Sequence, residues 1–286
     1  MKRAIICILA GLFGLIAAGC GQEDRAQTYV ERGQELYDQG NLVKARLEYK
    51  NALQIDPKQP EAWLMLAQIS EQEKNWPEAF DAYSRVVELD PSNLEARLKK
   101  GAFLLVGERL DDVLAEAEAI LAANPSHAGA LALRGAVRQQ QGDLDGAVAD
   151  AEVALAADPQ HRQALALLSE IRKQQGRLDE AAGLLETAVQ AHPDEVSLKV
   201  ALAGIQQELG DPTAVRRSLE ALVLEQPDDF SRRRRLARYL LSQGETDAAE
   251  KTLRDAIAAA PDDLQRKLLL LDLLAKENGL TTALAQ

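Results

Sequence analysis

With 286 residues, 47% hydrophobic and 27% charged, the chain can bury a sizeable core in one or two domains. Aromatic residues make up only 4%, and Ala and Leu dominate, which favours close-packed helices over strands built from β-branched and aromatic side chains. A formal net charge of −12 excludes general nucleic-acid binding, because neutralising a phosphate backbone takes a basic surface.

The chain opens with Lys2 and Arg3, followed by an uncharged apolar run from Ala4 to Ala18. A membrane-spanning helix needs roughly 20 apolar residues, so this run is short for one and suits a signal-peptide core behind a positive n-region. It ends in Ile16-Ala17-Ala18-Gly19-Cys20 and turns polar at Gln22. This stretch resembles a bacterial lipobox, although Ala17 stands where Leu is commoner. The resemblance implies that residues 1–19 are a signal peptide, that Cys20 becomes the N-terminus, and that its sulfur carries lipid. Cys7, the other cysteine, leaves with the signal. The alternative is an ordinary secretory signal cut at the small-x-small site Ala17-Ala18-Gly19. Gly21 lies where lipoproteins kept in the inner membrane often carry Asp, which implies an outer-membrane lipoprotein of a Gram-negative bacterium, facing the periplasm. Residues 20–25 are then a short tether. Gly21 to Arg25 reach roughly 17 Å when extended, which sets the next segment close to the membrane surface.

From there a ruler runs along the chain. Pro57, Pro91, Pro125, Pro159, Pro193, Pro227 and Pro261 stand 34 residues apart each time. They divide residues 26–263 into seven blocks (26–59, 60–93, 94–127, 128–161, 162–195, 196–229 and 230–263), with a partial eighth at 264–286. In block 60–93, Trp63, Leu66, Ala67 and Ser70 recur at helical spacing, and Ala79, Tyr83 and Val86 do so on a second helix. Small residues hold the eighth place of each block (Gly33, Ala67, Gly101, Gly135, Ser169, Ala203, Ala237) and usually the twentieth (Ala45, Ala79, Ala147, Ala181, Ala249), where Val113 and Val215 are the exceptions. Gly40, Gly142, Gly176, Gly210 and Gly244 suit left-handed helix ends between the two helices of a block. Ser92, Ser126, Asp194, Asp228 and Asp262, each next to a ruler proline, are expected to cap the following helix, Ser92 with Glu95 as a capping box.

These blocks resemble the tetratricopeptide repeat, and the resemblance covers residues 26–286. It implies an all-α fold, a right-handed α-solenoid of tandem helix pairs whose first helices line a concave face, with stability summed along the array. Block 196–229 departs most from the pattern, with Leu219 and Leu222 replacing the usual aromatic residue and alanine and with Pro212 ahead of its second helix. It reads as tolerated divergence, with a hinge as the alternative.

No catalytic constellation is present: the chain after residue 20 has no phosphate-cradling Gly-rich loop, no GxSxG, no HExxH and no CxxC. The reading is a non-enzyme without cofactor or metal. His127, His161 and His192 sit in successive inter-block turns, a whole repeat apart, and should not converge on one ion. Trp63 and Trp76 read as core.

One local feature stands out. Blocks 26–195 hold 29 acids and 17 bases, whereas blocks 196–263 hold 12 and 10. The bases concentrate in Phe230-Ser-Arg-Arg-Arg-Arg-Leu-Ala-Arg-Tyr-Leu240. Arg234 and Arg238 form an i, i+4 pair where the resemblance places the concave groove. With Arg235 they make a candidate ligand groove, since guanidinium forks suit carboxylates and phosphates. The alternative is a solvated face balanced by Asp228 and Asp229. The clamp with which some tetratricopeptide domains hold a C-terminal carboxylate is absent, its early places being Val30, Gln34, Leu64 and Gln68.

The lipobox, the minimal tether and the phrase Ala45-Arg-Leu-Glu-Tyr-Lys-Asn-Ala-Leu-Gln-Ile-Asp-Pro57 are together similar to the tetratricopeptide lipoproteins of exosortase and PEP-CTERM sorting systems. That resemblance implies a scaffold for periplasmic or envelope proteins in exopolysaccharide export and protein sorting. A pilus or secretin assembly lipoprotein is one alternative, and direct binding of an anionic exopolysaccharide is another. At the far end, Leu268, Leu269, Leu270, Leu271, Leu273 and Leu274 exceed what one helix face can bury against block seven. The expectation is that the chain continues in a longer protein or that a partner or second copy covers this end.

Overall fold

The structure, a computed structural model, describes residues 24–278. The signal peptide (1–19), Cys20 and residues 279–286 of the partial eighth block lie outside the described residues. Among those described, every regular element is a helix. The chain divides into two compact units, up to Val153 and from Ala154. The first holds α1 (24–38), α2 (Leu42–Ile55), α3 (Pro60–Gln72), α4 (Trp76–Leu89), α5 (Leu94–Val106), α6 (Leu110–Ala123), α7 (Ala128–Gln140) and most of α8 (Leu144–Ala157). The second holds α9 (Arg162–Gln174), α10 (Leu178–Ala191), α11 (Val196–Glu208), α12 (Pro212–Glu225), α13 (Phe230–Ser242), α14 (Thr246–Ala259) and α15 (Leu264–Asn278). Within each unit consecutive helices pack on one another, as expected of stacked helix pairs.

Small residues set how closely the helices approach. A Cβ on Gly33 would lie 2.7 Å from Tyr49 Cε1, and one on Gly101 would lie 2.8 Å from Leu133 Cδ1. Ala45, Ala67 and Ala79 are fully buried. The five inter-helix glycines have φ between +74° and +83°, the left-handed conformation that closes a helix. Lys74 (φ 60°) and Glu108 (φ 56°) occupy the same turn in their own repeats and bear the steric cost of a Cβ there.

The caps differ from expectation by one residue. Asn93 Oδ1, not Ser92, accepts from Ala96 N–H at 2.9 Å, while Glu95 accepts from Gln68 Nε2 at 3.0 Å and closes no capping box. Asp229 caps α13, and His127 caps α7 through Nδ1. In four of the seven repeats the cause is a two-residue turn begun by the side chain before the ruler proline. Asp56 and Asp90 accept from the N–H of Lys58 and Ser92, and Asn124 and Asp158 do the same for Ser126 and Gln160. The turn occupies the proline and its successor, so capping passes to the next residue.

In the first unit Tyr49 and Tyr83 are fully buried. Tyr83 Oη donates to Glu71 Oε2 at 2.7 Å, and Lys99 Nζ on α5 donates to Glu71 Oε1 at 2.6 Å, so one carboxylate joins three helices. Asp150, 3% exposed, accepts from Arg134 Nη2 at 2.7 Å and from Arg138 Nη1 at 2.8 Å. Trp63 is partly buried and its indole donates to Pro57 O at 2.9 Å. Trp76 departs from its core reading. It is 49% exposed, because it starts α4, where only one side of the ring meets Phe103 at 6.3 Å.

In the second unit Leu219 and Leu222 are buried in a core with Leu236, Leu240 and Leu253, so the divergent side chains fill the places of those they replace. Pro212 is the first residue of α12, where its missing N–H costs nothing, and Asp211 Oδ1 accepts from Ala214 N–H at 2.9 Å. On α15, Leu270 is buried while Leu264 and Leu268 are exposed.

Candidate functional site

Helix α13 carries five arginines and no acid, and the fold gives them different tasks. Arg232 is buried. It donates to Leu222 O at 2.7 Å and pairs with Glu225 and Asp229 at 3.2 and 3.4 Å, fastening α13 to the end of α12. Burial of this arginine was not foreseen from its place in a charged run. Arg233 Nε donates to Pro227 O at 2.5 Å. Arg234, Arg235 and Arg238 are exposed and have no acidic partner among the described residues. The nearby acids are already engaged: Asp229 caps α13, and Glu245 pairs with Arg216 at 2.5 Å.

Two of these three cations face a groove of about 350 Å³ between α11 and α13. Val200, Ala203, Val215 and Leu219 give it an apolar floor. Gly204 and Gln207 form the α11 wall, and Arg235, Arg238, Tyr239 and Ser242 form the α13 wall. The Tyr239 hydroxyl donates to Pro212 O at 2.8 Å, and Ser242 Oγ donates to Tyr239 O at 2.7 Å, so both are committed to the scaffold. Burial, followed by the nearby Glu245 charge, raises the Tyr239 hydroxyl above its usual range and keeps it protonated. The guanidinium groups and the Gln207 amide are left to meet a ligand.

The groove corrects the expected pairing. Arg234 does not line it, whereas Arg235 does. One residue rotates about 100° round a helix, so the face that holds Arg238 and Ser242 holds Arg235 at i−3 and turns Arg234 aside. The α11 wall was not read from the sequence. Its signal was the period itself, since Gly204 stands 34 residues before Arg238. Gly204 is an exposed glycine inside a helix, with nothing within 4 Å of where its Cβ would lie. Such a glycine costs about 1 kcal/mol against alanine, and no close packing requires it here.

Among the described residues no group of three or more His, Cys, Asp or Glu is placed to hold a metal ion. His127 and His161 cap separate helices, and His192 Nε2 lies 2.7 Å from Gln160 O. No described helix is long and apolar enough to cross a membrane. Cys20 lies outside the described residues. With the Tyr239 and Ser242 hydroxyls committed to the scaffold, the groups that the groove leaves open, Arg235, Arg238 and Gln207, suit binding.

Models of the tetratricopeptide repeat match residues 30–94 and 98–162, and further models of the same repeat match 139–197, 172–237 and 208–273. No curated protein matches the sequence. Among solved structures, a tetratricopeptide repeat protein from Parabacteroides merdae aligns with a TM-score of 0.61 at 19% identity, over 87% of this chain and 98% of that one. PilW, a type IV pilus biogenesis factor, aligns with a TM-score of 0.57 at 22% identity, over 72% and 95%. PilF of Pseudomonas aeruginosa aligns with a TM-score of 0.55 at 17% identity, over 79% and 99%. At these identities the likeness is one of fold.

Proposed function

The chain belongs to the tetratricopeptide repeat family, and from that premise we propose that it is a scaffold, held in the outer membrane by a lipid on Cys20, that gathers other envelope proteins. The repeat is a binding framework, and its proteins are generally scaffolds rather than enzymes; specificity resides in sites built on the fold. The observation that carries the reading is the α11–α13 groove. It sets two guanidinium groups that have no acidic partner among the described residues above an apolar floor, in a chain of 45 acids and 33 bases. Such a surface is made for a partner that brings its own carboxylates.

The lipobox and the first-repeat phrase favour a place in exopolysaccharide export and PEP-CTERM protein sorting. A second reading, a pilus or secretin assembly lipoprotein, draws on the likeness in fold to PilW and PilF.

The anchor is tested at one atom. Cells fed a labelled fatty acid should incorporate it into the wild-type protein, and Cys20→Ser should accumulate as unlabelled, unprocessed precursor. Label that persists in Cys20→Ser would remove the anchor from the reading and leave the scaffold.

A further inference from the structure

Resting on the lipid-anchor reading, we propose that the outer face of α2 lies against the anionic phospholipid surface that holds the lipid of Cys20. Val43 and Leu47 enter the headgroup layer there, flanked by Lys44 and Lys50. The packing of the helix comes first. Ala45, Tyr49 and Ala52 are fully buried, and Gly33 of α1 abuts the Tyr49 ring. A helix turns about 100° per residue, so Val43, Leu47, Lys50 and Gln54 fall on the opposite side, and all four are exposed. Val43 is 78% and Leu47 58% exposed, one turn apart.

The repeat supplies its own control. At multiples of 34 residues, the places of Val43 and Lys50 hold Asp111 and Glu118 on α6, Asp145 and Glu152 on α8, and Asp179 and Glu186 on α10. There the outer stripe is acidic; on α2 it is apolar and basic. Glu48, the one acid of α2, is partly buried. Lys44 has no acidic partner among the described residues, and Lys50 meets Glu78 at 3.4 Å with its side chain 50% exposed. Block 26–59 balances five acids with five bases, and each of the next four blocks is net acidic. The tether then selects the occupant. α1 packs on the buried side of α2, one helix diameter, roughly 10–12 Å, above whatever the outer face touches. Gly21 to Arg25 reach roughly 17 Å when extended, enough to bring the lipid of Cys20 down to that level. Apolar side chains flanked by lysines suit a bilayer surface, the former at the boundary of head groups and acyl chains, the ammonium groups at the phosphates. A second copy docked on the same face would set these lysines against their own counterparts across the two-fold axis.

The test uses the lipidated chain, purified from membranes and reconstituted in phosphatidylethanolamine vesicles with or without phosphatidylglycerol. A solvent-sensitive fluorophore is attached at Leu47→Cys or, for comparison, at Leu224→Cys, a leucine 79% exposed on α12. Emission should shift to the blue at position 47 when phosphatidylglycerol is present, and should stay unshifted at 224. The shift should recede as salt rises, since exposed charges are screened over about 8 Å at physiological ionic strength. Val43→Asp with Lys50→Glu, the residues of the later repeats, should abolish it while the chain stays in the vesicles. An unfolding midpoint close to wild type separates lost docking from misfolding. Lys44→Gln, which breaks no ion pair among the described residues, should weaken the shift by itself. Emission equal at 47 and 224, or indifferent to phosphatidylglycerol and to both variants, would overturn the proposal, as would a shift that follows protein concentration instead of lipid. A chain that keeps its lipid and shows no shift ends this inference alone; a chain found without lipid ends the anchor reading as well.

Discussion

Replacing Tyr83 with alanine should remove about 3–5 kcal/mol of stability from the first unit, the cost of deleting a fully buried aromatic ring and leaving its cavity. Tyr83 contacts Phe103 across a repeat boundary at 6.2 Å and joins a cluster with Ala67, Ala79, Val86 and Ala96. Its small neighbours are packed on rigid helices and cannot collapse far into the gap. The hydroxyl adds a smaller effect. Burial pushes the Glu71 carboxyl up, but hydrogen bonds from Lys99 and Tyr83 together with the Lys99 charge outweigh it, and the net shift is downward from 4.5. A carboxyl lowered in the folded state contributes stability that is present above its unfolded value and is lost as pH falls through the folded one. Tyr83→Phe should therefore cost about 1 kcal/mol near neutrality and part of that at acid pH. Urea unfolding of both variants at neutral and acid pH checks the order, and Tyr83→Ala no worse than Tyr83→Phe would contradict it.

The second large effect is electrostatic. Asp150 holds Arg134 and Arg138 with a side chain 5% exposed, and Asp150→Ala leaves two like charges one turn apart on α7 without their shared counter-ion. Breaking a buried pair costs about 3–5 kcal/mol. Arg134 and Arg138 are 26% and 32% exposed and can partly rehydrate, so we expect about 2–4 kcal/mol here. Adding Arg134→Leu and Arg138→Leu to Asp150→Leu should recover most of the loss, because apolar packing often replaces a buried ionic cluster without penalty. Urea midpoints of the single and triple variants decide it. A triple variant as unstable as Asp150→Ala would mean that the site needs its charges.

Much of this fold was legible because stacking imposes a period. Each ruler proline marks a turn, and Gly33, Ala67 and Ala79 mark approaches too close for larger side chains. What escaped was local or long-range. The caps moved from Ser92 to Asn93 because Asp90 holds both the N–H and the hydroxyl of Ser92 inside the turn, bonds that proline spacing alone does not reveal. Trp76 fits an apolar place yet stands at a helix start, where only one face of its ring is covered. At the candidate site the arginine cluster was evident, but which arginines share a groove depends on helix rotation, and Arg235 rather than Arg234 joins Arg238. The opposite wall, Gly204 and Gln207, lies a full repeat upstream and carries no charge to draw the eye.

On the proposed function, the α11–α13 groove is where this scaffold holds a partner protein. Photo-crosslinking in living cells tests it most directly, with the reactive side chain at Gln207 in the groove and, for comparison, at Val43, which is 78% exposed on α2. A discrete adduct from Gln207, absent from Val43 and lost when Arg235→Ala and Arg238→Ala are added, is the predicted result, and the captured protein separates export from pilus assembly. The same adducts from both positions, or a Gln207 adduct indifferent to the arginines, would contradict it.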